Sequence, residues 1–172
     1  PRAEWRNTRL IGSPDPAPEM VAVRAYAEVS LKRPVAIERE PGSKRLFVLE
    51  NLAWDEYRST LKAFPDDPAA REAETLLEIP GDGEVAYSLC FHPRYAENGY
   101  LYIGSNGKGP ADAHHSRIVR YTVAREAPHG IDPATAVTII EWPSNGHNGA
   151  AACFGSDGML YVTSGDGTPN SD

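Results

Sequence analysis

"VAYSLCFHPRYAENGYLYIGSN", residues 85–106, holds two apolar runs on either side of a turn containing Pro93, Asn98 and Gly99. Runs of this length, rich in aromatic and branched residues and bounded by turn formers, read as a β-hairpin. Its second half is a glycine turn, then Leu, an aromatic, Val or Ile, and a polar exit. That pattern recurs as "EPGSKRLFVLEN" (40–51) and "GSDGMLYVTSGD" (155–166). The shared leucines are Leu46, Leu101 and Leu160, spaced by 55 and then 59 residues. A period a little above ~40–50 residues points to a propeller-like repeat. Each copy follows its own leading strand: "RPVAIE" (33–38), "VAYSLCFHP" (85–93) and "GAAACFG" (149–155).

Two more strands complete the first two units. They are "STLKAF" (59–64) and "ETLLEIP" (74–80), then "SRIVRYTV" (116–123) and "AVTIIEWP" (136–143). Four antiparallel strands make one propeller blade. The chain is therefore expected to be all-β, part of a β-propeller of about two and a half blades. Blade 1 is expected over residues 31–80, blade 2 over 81–143, and the start of blade 3 over 144–172. Residues 1–30 read as an extended lead-in, and "DDPAAREAE" (66–74) as a solvated loop with a helical turn. A propeller must close on itself, so the expected partners include the remaining blades, in the same gene product or in another chain.

Composition agrees with this class. The 172 residues include 15 Gly and 15 Pro, 41% are hydrophobic and 24% charged, and the formal net charge is −7. An acidic chain with scattered basic residues is not expected to bind nucleic acid. No apolar run approaches the ~18 residues of a membrane span. The first residues show no signal-peptide core. The two cysteines, Cys90 and Cys153, each precede a Phe on an apolar strand, and buried free thiols are expected.

The chemistry-bearing stretch is "NGHNG", 145–149. In a propeller the connection into a leading strand reaches the mouth of the central channel, and His147 lies six residues before Cys153. Six residues before Cys90 lies Glu84, so neighbouring blades are expected to offer an imidazole and a carboxylate on the rim. The exits Asn51, Asn106 and Asp166 are expected to ring the same mouth. Imidazole suits proton abstraction near neutral pH, which makes His147 the candidate base. His92 reads as a turn residue, His114 and His115 as members of a glycine-rich loop, and His129 as a loop residue. Asp166, Asn170 and Asp172 in "DGTPNSD" are oxygen donors of the kind calcium takes, without the spacing of an EF-hand.

"RPVAIEREPGSKRLFVLEN", "FHPRYAENGYLYI" and "GHNGAAACFGSDGMLYVTSGDG" together resemble the glucose/sorbosone dehydrogenase family, six-bladed propellers that include soluble quinoprotein sugar dehydrogenases. The resemblance covers residues 31–172. With "WRNTRLIGSPDP", it extends to large secreted planctomycete-type proteins that carry c-type haem modules. It implies His147 as the general base, pyrroloquinoline quinone (PQQ) as hydride acceptor and calcium as its polarising ion. Glu84, Asn148 and Asp166 would lie on the cofactor. A sugar or alcohol is the implied substrate, a c-type cytochrome or fused haem domain the electron acceptor, and the periplasm or extracellular space the location. The sequence departs from the family pattern at Glu84, where a glutamine is usual, at Gly146, where the sugar dehydrogenases are acidic, and at Gly167, where they carry Gln. The alternatives from the same residues are a non-catalytic propeller that binds carbohydrate or a partner protein, and a calcium-dependent sugar lactonase.

Overall fold

The computed structural model describes residues 20–52, 58–80, 84–124 and 129–168. Strands β1 (Pro34–Arg39), β2 (Arg45–Asn51), β3 (Ser59–Pro65) and β4 (Glu74–Glu78) form one antiparallel sheet in chain order. Strands β5 (Val85–Phe91), β6 (Tyr100–Lys108), β7 (His114–Thr122) and β8 (Val137–Pro143) form a second sheet of the same order. A short helical turn, α1 (Tyr95–Asn98), sits in the β5–β6 connection. Strands β9 (Gly149–Phe154) and β10 (Leu160–Ser164) pair as a hairpin. Two four-stranded meanders and the opening hairpin of a third are two and a half propeller blades. Among the described residues no helix is long and apolar enough to cross a membrane.

Alternation along the central strands explains why the sheets stack. A strand covered on both faces reads as a continuous apolar run. Phe47 and Leu49 of β2 point into the core shared with Leu89, Leu101 and Ile103 of the second sheet. Leu46 and Val48 point the other way, onto Val29, Phe64 and Ala70, with Tyr26 packed alongside. The described part of the lead-in thus covers the outer face of the first blade, and the Tyr26 hydroxyl bonds the Asp66 carboxylate. Ala70 and Ala73, from the stretch expected to be solvated, contribute to that same cluster. Residues 1–19 of the lead-in lie outside the described residues.

Between the first two blades a buried carboxylate acts as a staple. Glu40 accepts hydrogen bonds from Ser43 Oγ (2.6 Å), Arg45 Nε (2.7 Å) and Tyr95 Oη (2.7 Å). Burial alone would raise its pKa, but the bonds from Arg45, Ser43 and Tyr95 outweigh that and hold it below the usual range. On the far side of blade 2, Tyr102 and Ile118 pack with Ala150, Phe154 and Leu160 of the third hairpin. Both cysteines are free: Cys90 is half-buried, with its thiol pushed up to about 12 chiefly by burial, whereas Cys153 is exposed. The expectation of two buried thiols therefore fails at Cys153, because nothing described packs over that side of β9.

Each leading strand carries an extra residue at the same place. The register steps from Pro34 to Ala36 against Glu50 and Leu49, and from Ala86 to Ser88 against Ser105 and Gly104. In β9 the same irregularity falls between Gly149 and Ala152, where Ala150 has a φ of 66°. A bulge re-aims one side chain and bends the strand. The bulged positions are Val35, Tyr87 and Ala150, each four residues before the last residue of its strand.

Candidate active site at the blade rim

The connection into β9 and the segment leaving β10 run antiparallel beyond the ends of the strands. His147 N–H donates to the Thr168 carbonyl (3.0 Å), and Gly167 N–H donates to the His147 carbonyl (3.1 Å). Asn145 N–H reaches the Gly167 carbonyl (2.9 Å), and Gly165 N–H the Asn148 carbonyl (3.1 Å). The approach is close enough that a Cβ on Gly165 would lie 1.8 Å from the His147 carbonyl oxygen. Glycine at 165 is what lets the two segments meet.

This backbone pairing brings two side chains together across 19 residues of sequence. His147 Nδ1 lies 3.3 Å from Asp166 Oδ1 and 3.4 Å from Oδ2, and both residues are exposed. Asp166 Oδ1 also accepts from the Thr168 N–H (2.9 Å) and the Thr168 hydroxyl (3.1 Å). The backbone N–H of Thr168 is the largest influence holding the Asp166 carboxyl below its usual range, followed among the stabilising contacts by His147 and the Thr168 hydroxyl. An ionised carboxylate on one ring nitrogen fixes the tautomer that leaves the other free to accept a proton. Asp166 and Gly167, with His114, Ser144 and Asn145, border an open recess of about 360 Å³ on this rim.

Asn148 is fixed from two sides. Its Oδ1 accepts from the buried Ser144 hydroxyl (2.9 Å), and its Nδ2 approaches the Tyr87 hydroxyl (3.4 Å). Ser144 is itself held through its carbonyl by Asn106 Nδ2 (3.1 Å).

Glu84 does not share the rim with His147. It is 2% exposed, bonded by the Ser105 hydroxyl and by Arg117 Nη1 at 3.2 Å. Burial raises its carboxyl above the usual range, against the opposing influence of Ser105 and Arg117. The reason lies in the partner position. Glu84 folds inward over Gly107, where a Cβ would lie 1.9 Å from Glu84 Oε2. The residue at that place in the third hairpin is Asp166, which keeps a side chain and meets an outward His147 instead. In blade 1 the same locus is filled from β2: Glu50, fully buried, pairs with Lys62 Nζ at 2.8 Å and accepts from the Lys32 N–H.

Asn106 is buried and Asn51 half-buried, so of the three polar exits only Asp166 stands open at the mouth. His114 and His115 open β7 rather than occupying a loop, and His115 Nδ1 faces Glu141 at 3.3 Å. His92 Nδ1 accepts from the Arg94 N–H (3.0 Å), a turn contact. Asn170 and Asp172 lie outside the described residues, and among those described no three His, Cys, Asp or Glu side chains gather as a metal site. The His147–Asp166 pairing, Arg117 and Tyr87 were not legible as site features. The clue available was the joint change at two equivalent positions, Glu84 with Gly107 and His147 with Asp166.

No family model matches the chain. It is 35% identical over 149 residues to the Hedgehog-interacting proteins of Mus musculus and Homo sapiens, an alignment covering 80% of this chain. The chain spans about a fifth of the length of these curated relatives. A crystal structure described as an oxidoreductase (glucose dehydrogenase) from Thermus thermophilus matches with a TM-score of 0.54 at 22% identity. That match covers 79% of this chain and 38% of the other. By its own sheets and by this likeness, the chain has the fold of consecutive β-propeller blades.

Proposed function

We propose that these blades belong to a quinoprotein-type dehydrogenase that oxidises a sugar or alcohol. The observation that carries this reading is the exposed His147–Asp166 pair at the rim. His147 takes the proton of the substrate hydroxyl on the ring nitrogen that Asp166 leaves free. Asp166 holds the imidazole in place and stabilises the positive charge that forms on it. Bound PQQ, polarised by calcium, would supply the hydride acceptor. Asn148 and Asp166 are the described residues suited to face that group, since amide and carboxylate oxygens are the donors calcium prefers. Glu84 is not part of this set, because it is buried against Gly107 and paired with Arg117, whereas Asp166 is exposed and Asn148 half-buried. In this reading the remaining blades complete the ring and the rest of the cofactor site. Electrons pass to a c-type cytochrome or fused haem domain, as in the planctomycete-type proteins, in the periplasm or outside the cell.

The likeness to the Hedgehog-interacting proteins favours a second reading, in which the rim binds a partner protein and performs no turnover. The two separate cleanly in the complete protein supplied with PQQ and calcium, followed by reduction of an artificial electron acceptor across a panel of sugars and alcohols. Acceptor reduction that depends on both additions is the expected result. No reduction with any substrate, and no quinone retained on gel filtration, leaves the partner-binding reading in place.

A further inference from the structure

Asparagine stands directly before glycine at four places: Asn98 before Gly99, Asn106 before Gly107, Asn145 before Gly146 and Asn148 before Gly149. Such a pair is chemically labile, because no Cβ shields the glycine nitrogen from the asparagine side-chain carbonyl. That nitrogen must swing onto the carbonyl to react, so a hydrogen-bonded amide on either side holds the pair back until it opens. Three of the four pairs are held. Asn98 Oδ1 accepts from the Tyr100 N–H (3.0 Å), its Nδ2 meets His92 Nδ1 (3.0 Å), and the Gly99 N–H donates to the Tyr95 carbonyl (2.8 Å). Asn106 is 7% exposed and donates through Nδ2 to the Ser144 carbonyl (3.1 Å), while Gly107 pairs with His115 inside the ladder. Asn148 accepts from the Ser144 hydroxyl (2.9 Å), and Gly149 pairs with Ser164 at the start of β9. Asn145 differs from all three. Its side chain is exposed, it sits with Gly146 in a bend outside any strand, and among the described residues neither that side chain nor the Gly146 N–H makes a hydrogen bond.

We infer that Asn145 is a site of spontaneous deamidation, and that its conversion undoes the rim geometry around His147. The Gly146 backbone nitrogen gives its proton to hydroxide and attacks Cγ of Asn145. A C–N bond forms there, the bond from Cγ to Nδ2 breaks, and ammonia leaves, which closes a succinimide ring. Water then opens the ring at one of its two carbonyls. Opening at Cγ gives aspartate, and opening at the main-chain carbonyl gives isoaspartate, with the chain rerouted through the side chain and one methylene longer. No electrons are gained or lost, and water is the only co-reactant. The Asn145 N–H donates to the Gly167 carbonyl (2.9 Å), and Asn145 borders the recess that Asp166 and Gly167 also line. Either product puts a second carboxylate in that recess beside Asp166, and like charges sharing a site repel. The lengthened chain of the isoaspartate also shifts the pairing of residues 145–148 with 165–168 that brings His147 onto Asp166. The inference does not rest on the dehydrogenase reading, since turnover and partner binding would use the same rim.

The test uses the complete protein, aged at mildly alkaline pH and physiological temperature, cleaved after glutamate and read by tandem mass spectrometry. Isoaspartate is marked by methyl transfer with a protein isoaspartyl methyltransferase. Cleavage after Glu141 leaves Asn145 and Asn148 in one peptide, so Asn148 serves as the internal control. Asn145 is expected to convert at least about tenfold faster than Asn98, Asn106 and Asn148, which must open before they react. In urea, where all four pairs are open, the four rates are expected to converge. Gly146→Ala, whose methyl group shields the attacking nitrogen, is expected to slow Asn145 severalfold and leave the other three unchanged. Hydrogen exchange of the peptide around His147 is expected to be faster in aged than in fresh wild type, and to be unaltered by ageing in Asn145→Gln. A folded-state rate at Asn145 no greater than that at Asn148 overturns the inference. So does a preference for Asn145 that persists undiminished in urea, because local sequence and not the fold would then set it. Fast conversion of Asn145 that leaves exchange around His147 unaltered overturns the effect on the rim.

Discussion

At the scale of single residues, two carboxylates in equivalent neighbourhoods behave oppositely because of what opposes them. Asp166 is exposed and held ionised by the Thr168 N–H and His147. Glu84 is buried, and burial raises its carboxyl despite the Arg117 guanidinium. A carboxyl whose folded-state pKa is raised contributes stability below the usual glutamate range of ~4.3, and that contribution is lost as pH rises through the raised value. Glu84→Gln, which mimics the protonated form, removes this loss. Urea unfolding of the variant and wild type is therefore expected to show their difference moving in the variant's favour between pH 4 and pH 7. A difference that is flat with pH, or that moves the other way, contradicts the burial assigned to Glu84. The sequence offered Glu84 and His147 as equivalent positions by counting back from the cysteines. It did not reveal that one turns inward, because that depends on Gly107 and Arg117 from β6 and β7, which only the pairing of strands brings near.

At the scale of elements, the hairpins were the most legible part. Leu46 and Leu101 each begin the buried stretch of a second strand, Leu160 opens the less buried second strand of the third hairpin, and the glycine turn before each marks the hairpin. The bulges were not legible, since an extra residue in a leading strand leaves its apolar run unchanged. Their consequence is a close approach between blades: a Cβ on Gly104 would lie 1.7 Å from the Ala150 carbonyl oxygen. Backbone cannot yield as a flexible side chain does, so Gly104→Ala forces β9 away from the second sheet. The expected cost is about 2 kcal/mol, within the range for overpacked interiors, read as a lower urea midpoint at unchanged slope. A variant as stable as wild type contradicts the β5–β9 packing described. Gly165→Ala acts on the other contact, against the His147 carbonyl, and is expected to lower turnover at least tenfold by displacing the base, since even ~1 Å of misplacement is costly. Turnover at the wild-type rate contradicts the pairing of residues 145–148 with 165–168.

At the scale of the molecule, apolar side chains stand exposed on the flanking strands: Val35 and Ile37 on β1, and Val137, Ile139 and Ile140 on β8. Exposed apolar faces beside unpaired strand edges are sticky in water. Residues 1–172 expressed alone are expected to bind an apolar fluorescent dye and to self-associate on gel filtration. A monomer that leaves the dye dark contradicts the unsealed faces. The all-β architecture was readable from the 55- and 59-residue spacing. His147 and Asp166 were each singled out from the sequence, but their pairing was not readable, because Asp166 arrives from the far end of the β9–β10 hairpin. The central claim is that His147, oriented by Asp166, is the base of a rim-centred oxidation. The most direct test is the steady-state rate of the quinone- and calcium-loaded complete protein for wild type, His147→Ala and Asp166→Asn on one sugar. The predicted result is a fall in kcat of at least about a hundredfold for His147→Ala and a smaller fall for Asp166→Asn, as general-base removal implies. A His147→Ala protein that keeps wild-type kcat contradicts the claim.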